Sequence, residues 1–127
     1  MHAFDARQVA EAQAYVAFHF YAMAIEAVAR VDIGELHTGI LLATTAMGAI
    51  ETIQGSEYGL ETRALSCDAM TSARSPQAPD MRGRAARHAS RLLESIRGPE
   101  FKISFGARFL VGKLLLDSPE AGAAPQA

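Results

Sequence analysis

Residues 5–30 read DARQVAEAQAYVAFHFYAMAIEAVAR, a run that is rich in alanine and poor in charge. Alanine loses no side-chain entropy in a helix, so the run predicts one long helix, with Asp5 and Gln8 at the spacing of an N-terminal cap. On a helix its polar side chains fall within a stripe about 100° wide. The remaining surface is apolar, which predicts a helix that is central in a bundle or faces a second subunit. The stripe contains Gln8, Glu11, Tyr15, His19, Ala22, Glu26 and Arg30.

A second helix is predicted over residues 33–54. Asp32 and Glu35 have the spacing of another N-terminal cap, and Gly55 is a left-handed stop. The link between the first two helices is short, so they form an antiparallel hairpin or a nearly continuous kinked pair. Small residues on the apolar face of the second helix predict that a neighbouring helix approaches closely. These residues are Gly39, Ala43 and Ala46.

The rest of the chain predicts two or three further helices. A weaker helix is expected over residues 57–72, followed by a proline-containing linker at about 73–79. An amphipathic helix is expected over 80–97. Residues 101–116 begin with strand-like alternation, but a lone strand would have no partner in the chain, so a helix is favoured. The expected fold is therefore all-α, a four- to five-helix bundle with a central apolar first helix. Residues 1–117 form one domain, and a disordered tail follows at 118–127.

Composition excludes several classes of protein. Half of the 127 residues are hydrophobic and a fifth are charged, which is typical of a globular domain. The single cysteine, Cys67, excludes an internal disulfide framework and favours a cytoplasmic location. Glu11, His19 and Glu26 interrupt the apolar run, so neither a secretory signal nor a membrane span is expected. The frequent alanine and arginine are typical of a GC-rich bacterial genome.

Charge is distributed unevenly along the chain. Residues 1–72 contain nine acidic and three basic side chains, whereas residues 73–127 contain nine basic and five acidic ones. Their net charges of −6 and +4 recover the total of −2. Such polarity can steer partners, including a second copy of the same chain.

Three side chains of the polar stripe form the first candidate site. Tyr15, His19 and Glu26 point the same way, and an imidazole, a carboxylate and a phenol suit acid–base chemistry if a cavity holds them. His19 and Glu26 lie about 10 Å apart along the axis, too far for a direct hydrogen bond. Glu26 and Arg30 have the spacing of a surface ion pair. A solvated edge on an otherwise buried helix is the favoured interpretation.

No metal site or cofactor is expected. A carboxylate-bridged di-metal bundle needs Glu-x-x-His pairs on facing helices, and no glutamate here has a histidine three residues on. Glu35 and His37 are two residues apart and point in nearly opposite directions. His2 and His88 are isolated in sequence.

The helix predicted over 80–97 carries two candidate sites. Arg82 and His88 have a spacing that resembles the Arg-x(4–6)-His signature of the all-helical HEPN ribonucleases, over seven residues. The resemblance implies metal-independent RNA cleavage by these two residues at a dimer interface. Arg84, Arg87 and Arg91 share one face of the helix, which suits a phosphate backbone, a solvated surface or an acidic partner.

The leading functional hypothesis is a small regulatory or adaptor protein that acts by binding another protein. The apolar surface of the first helix and the charge asymmetry favour a homodimer. The alternatives are a nucleic-acid-binding regulator that uses helix 80–97, and a metal-independent HEPN-like ribonuclease that uses Arg82 and His88.

Overall fold

The computed structural model describes residues 3–53 and 58–107, and five α-helices account for most of them. No strand occurs within these ranges, so the predicted all-α class is confirmed. The segment from residue 101 is helical as far as Ala107. The rest of that segment, the Gly55 stop and the predicted tail at 118–127 lie outside the described residues. The helices are α1 (Ala3–Asp32), α2 (Leu36–Ile50), α3 (Gly59–Ser72), α4 (Ala78–Ser95) and α5 (Pro99–Ala107).

The chain divides into two compact units, residues 1–75 and 76–127, and the division falls in the predicted linker. In the first unit α1, α2 and α3 pack against one another, so α1 contacts both other helices. The second unit contains α4, which is followed by α5 and contacts it. Pro79 stands in the first turn of α4, where proline leaves no helical hydrogen bond unmade.

The core of the first unit consists largely of alanine. The buried side chains of α1 are Ala17, Ala24, Ala27 and Val31. Larger apolar residues come from the other two helices, with Met47 and Ile50 on α2 and Met70 on α3. Alanine side chains are short, so helices that meet through them approach closely.

At Gly39, α2 packs closely against the backbone of α1. A Cβ added there would collide with Cγ2 of Val31 and stand 3.0 Å from the carbonyl oxygen of Ala27. Ala43 and Ala46 continue the same buried side of α2. The predicted close approach through small residues is therefore confirmed.

The predicted cap of α2 is wrong. Asp32 is the last residue of α1, and Glu35 precedes α2 without a side-chain cap hydrogen bond. Gly34, at φ +90°, ends α1 in the left-handed region. The N–H of Gly34 donates to the carbonyl of Val31 at 3.0 Å, and that of Glu35 to Arg30 at 2.9 Å, which is a Schellman motif. The Glu35 carboxylate accepts instead from the Arg30 side chain at 2.8 Å.

Two other helix ends differ from the prediction. α1 begins at Ala3, so Asp5 lies inside the helix rather than at its cap. α2 ends at Ile50, earlier than expected, because the backbone hydrogen bonds that follow join residues three apart instead of four. The hydroxyl of Thr52 donates to the carbonyl of Ala49 at 2.7 Å, which competes with the helical hydrogen-bond pattern.

Of the two arrangements predicted for α1, burial within the bundle around all but the polar stripe is wrong for the single chain. Every side chain from residue 6 to residue 16 is exposed, including Val9 and Val16. Phe18 and Ile25 are exposed by 53% and 47%. The exposure has two reasons, the length of α1 and the side on which α2 and α3 pack against it. α1 has 30 residues, whereas α2 has 15 and α3 has 14, and both shorter helices cover the same side of it.

α3 ends as α1 does, but with an arginine in the left-handed position. Arg74 has φ +57°, and its N–H donates to the carbonyl of Thr71 at 3.0 Å. The N–H of Ser75 donates to the carbonyl of Met70 at 3.0 Å. A non-glycine residue in this region costs about 1–2 kcal/mol, so this Schellman motif is strained where the one at Gly34 is not.

A first prediction concerns the closest contact of α1 and α2. We expect Gly39→Ala to lower the free energy of unfolding by about 1–3 kcal/mol, because the added methyl forces the helices apart. Gly48 is the matched control on the same helix, since a Cβ there meets nothing within 4 Å. Gly48→Ala should raise stability by about 0.5–1 kcal/mol through helix propensity. Urea unfolding followed by circular dichroism measures both, and equal effects of the two variants would contradict the close approach.

A second prediction concerns the end of α3. We expect Arg74→Gly to stabilise the protein by about 0.5–1 kcal/mol, because relief of the left-handed strain exceeds the entropy that glycine adds to the unfolded chain. Gly34→Ala should do the reverse by about 1 kcal/mol, through backbone strain alone. Thermal unfolding measures both, and a lower melting temperature for Arg74→Gly would show that Arg74 is not strained.

Candidate functional site

The exposed side of α1 carries an apolar seam, which we call the outer face. Its members recur every three or four residues and lie opposite the buried alanines of the same helix. Large and small side chains alternate along the seam, and this is the spacing with which helices pair. The outer face consists of Ala14, Phe18, Ala22, Ile25 and Ala29, with Tyr15 at its edge.

Aromatic rings hold Phe18 in place on the outer face. The rings of Tyr21 and Tyr58 are stacked, with centroids 4.8 Å apart and planes 9° from parallel. Phe18 meets both edge-on, at 5.8 Å from Tyr58 and 6.4 Å from Tyr21. Such pairs contribute about 0.5–1.5 kcal/mol each beyond the area they bury. Phe18 is therefore a half-exposed aromatic side chain that packs on two tyrosine rings.

Two open depressions lie along α1, one beside the outer face and one on the other side of the helix. One, of about 280 Å³, is lined by Ala14, Tyr15, Phe18 and Tyr58. The other, of about 480 Å³, lies between the first half of α1 and the end of α2. Its lining is mainly apolar and consists of Val9, Ala12, Gln13, Val16, Thr52 and Ile53. Both are concave parts of an exposed apolar surface.

The structure does not bring Tyr15, His19 and Glu26 together in a cavity. All three are exposed, and Tyr15 is the most exposed at 81%. The ring of His19 meets that of Phe20 edge-on at 5.1 Å. Of the three side chains, Tyr15 alone is among those that line the two depressions.

The Glu26 carboxylate belongs to a network at the end of α1. Arg30 donates to it from Nη2 at 3.1 Å and from Nε at 3.4 Å, and donates from Nη1 to Glu35 at 2.8 Å. These bonds, the one to Glu35 first, raise the pKa of Arg30 above its ordinary value. The network holds the turn after α1 closed. Its members are well exposed, so it contributes little to stability.

The basic face of α4 includes acidic neighbours. Arg87 and Arg91 are exposed, while Arg84 is partly exposed and places its Nε 3.4 Å from the Asp80 carboxylate. Glu94 lies on the same side of the helix. Three arginines and two carboxylates therefore share this face, which weakens its positive potential. The opposite side of α4 is buried, through Ala78, Met81, Ala85, Ala86 and Ala89.

Arg82 and His88 are both partly buried on α4. Six residues separate them, so their side chains leave the helix about 120° apart and about 9 Å apart along its axis. Neither residue lines the two depressions along α1. Their proposed roles in RNA cleavage stay predictions.

α3 buries polar residues that the sequence analysis did not single out. Thr62 and Ser66 are fully buried, and neither hydroxyl has a hydrogen-bond partner among the described residues. The buried Arg63 donates from Nη1 to the carbonyl of Gly59 at 3.1 Å. Cys67 is buried as well. Helical spacing places Thr62 and Ser66 on one side of α3, but that side is buried only because α1 and α2 lie against it.

Within residues 3–53 and 58–107, no three His, Cys, Asp or Glu side chains come close enough to hold a metal ion. The same ranges contain one helix, Ala6–Asp32, that is long and apolar enough to cross a membrane by length and composition. Core helices of soluble proteins and signal sequences meet the same criterion.

No family model, curated protein or solved structure matches the chain. The outer face of α1, with its fixed aromatic anchor, is the candidate functional site that its own geometry supports best.

A third prediction concerns the buried hydroxyls of α3. A buried hydroxyl without a hydrogen bond costs about 1–3 kcal/mol, so we expect Thr62→Val and Ser66→Ala each to stabilise the protein by about 1 kcal/mol. Thr45→Val is a control on α2, because its exposed hydroxyl donates to the carbonyl of Leu41 at 2.8 Å and its loss should change little. Chemical unfolding measures these effects. Destabilisation by both α3 variants would show that the hydroxyls have partners.

Proposed function

We propose that the chain is a small protein-binding module of the regulatory or adaptor type, which acts as a homodimer through the outer face of α1. The observation that carries the proposal is the half-exposure of Phe18 and Ile25 on one seam of a long helix. Burial of their remaining exposed half stabilises an interface by about 1 kcal/mol each, roughly half the value for a fully exposed side chain. Aromatic residues held in position are typical anchors of protein interfaces. The single, buried Cys67 supports a reducing compartment such as the cytoplasm.

The shape of α1 supports association. Residues 6–16 are exposed on every side, so in the single chain this stretch has little tertiary packing. Isolated helices shorter than about 12–15 residues are marginal in water, since most helical stability in proteins comes from packing. A partner on the outer face would supply that packing to the first half of α1.

The charges on α1 favour a protein partner over a lipid one. Glu11, His19 and Glu26 are spaced along the helix and face solvent. Insertion into a bilayer would place them in hydrocarbon, where a carboxylate near the centre costs about 2.5–3.5 kcal/mol or more. At the rim of a protein interface His19 and Glu26 remain hydrated at little cost.

A fourth prediction tests the proposed surface. We expect Phe18→Glu and Ile25→Glu each to weaken self-association at least about tenfold, because each places two charges in a symmetric interface. Leu41→Glu on α2 is the matched control, since Leu41 is 60% exposed and lies on another helix. Sedimentation equilibrium at micromolar concentrations measures association, and circular dichroism verifies the fold. A wild-type monomer at high micromolar concentration would contradict the proposal, as would unchanged association of both α1 variants.

A further inference from the structure

We propose that two copies pair through their outer faces with the α1 helices antiparallel and with Phe18 packed on the partner's Ala22. The inference rests on the proposed homodimer and adds its orientation and register. It identifies a second copy of this chain as the occupant of the outer face.

The first argument is the alternation of side-chain size. Phe18 and Ala22 are one turn apart on the outer face, and both are exposed. When the helices run antiparallel about a two-fold axis near residue 20, each Phe18 lies over the small residue of the other copy. The same register places Ile25 at the level of the partner's Tyr15. Phe18 then packs on a small side chain, as packing at native density requires, and Ile25 lies beside the exposed ring of Tyr15 at the edge of the face.

Charge supplies the second argument. Arg7 and Asp32 are both exposed and leave the helix only about 20° apart, in line with Ile25 and Ala14 of the outer face. In the antiparallel register residue 7 lies level with the partner's residue 33, so Arg7 comes beside the partner's Asp32, and symmetry repeats the contact at the other end. A parallel pair would set Arg7 against Arg7, and Glu11 against Glu11. Opposite charges at the rim add little affinity but select orientation.

The third argument is the length of α1. In the antiparallel register the exposed stretch 6–16 of one copy lies along residues 24–34 of the other. That part of the partner's α1 is supported from behind by α2, through the contact at Gly39. Each copy therefore packs against the first half of the partner's α1, which has little tertiary packing within its own chain. A parallel pair would place the two unsupported halves against each other.

Disulfide cross-linking tests the register without removing an anchor. In a Cys67→Ser background, Glu11→Cys and Ala29→Cys place thiols at positions that face each other only in the antiparallel pair. We expect oxidation of a one-to-one mixture to link the two variants in about half of the chains, the statistical share of mixed dimers. Each variant alone should remain unlinked. Leu41→Cys mixed with Glu11→Cys is the control and should stay unlinked.

The possible outcomes separate this inference from the proposed function. Linking of each variant to itself, but not to the other, would overturn the antiparallel orientation. An absence of linking, in a protein that sediments as a dimer disrupted by Phe18→Glu, would overturn the register while the homodimer stands. A wild-type monomer would overturn both. Co-sedimentation of the protein with phosphatidylcholine–phosphatidylglycerol vesicles, lost in Phe18→Glu, would show that the outer face binds lipid. That result would overturn a second copy as its occupant.

Discussion

The contact of Gly39 with the backbone of α1 determines how the first unit is built. A side chain at this position would collide with Val31 and crowd the carbonyl of Ala27. The absence of one lets α2 lie close to α1, and the alanines of both helices extend the contact along the pair. Methionine and isoleucine from α2 and α3 fill the remaining space. Because the core depends on small side chains, its packing is sensitive to a single added methyl group.

This close approach also determines which side of α1 faces outward. The buried alanines lie on one side of the helix, and α2 and α3 both cover that side. The larger apolar side chains of α1 are left on the other side. The stacked tyrosines Tyr21 and Tyr58 then hold Phe18 in a defined position on it. The alanine core and the exposed apolar seam thus have one cause. Because α1 packs inside the unit through its alanines, most of its bulky apolar residues remain outside the core.

Several features of the fold could be predicted from the sequence because they depend on local chemistry. Alanine content and helical periodicity predicted the helices, the prolines predicted the break near residue 75, and Gly39 with its neighbours predicted the close approach. The cap at Asp32 was predicted wrongly because Gly34 ends α1 two residues later, and Arg30 engages the carboxylate of Glu35. A capping pattern shows which side chains can cap a helix. It does not show whether another group, such as a nearby arginine, binds the same side chain instead.

The candidate site was harder to predict, because it depends on residues far apart in the chain. The narrow polar stripe of α1 was identified correctly, but apolar periodicity does not give the lengths of neighbouring helices. Exposure of residues 6–16 follows from α2 and α3 being half as long as α1, whereas Phe18 and Ile25 are exposed because both helices pack on the opposite side. Tyr58 had no local pattern that connected it with Phe18. A comparison of helix lengths could have revealed the uncovered face. The apolar run of α1 is longer than the helices available to pack against it.

Cysteine reactivity along α1 tests the central claim most directly, namely that one side of this helix packs inside the unit and the other against a second copy. Single cysteines at Ala22 and Ala29 report the outer side, and those at Ala24 and Ala27 report the inner side, each in a Cys67→Ser background. The account predicts fast maleimide labelling of the outer pair in dilute protein, slowing as concentration rises, and slow labelling of the inner pair throughout. Outer-pair rates that do not change with concentration, or inner-pair rates as fast as the outer ones, would contradict it.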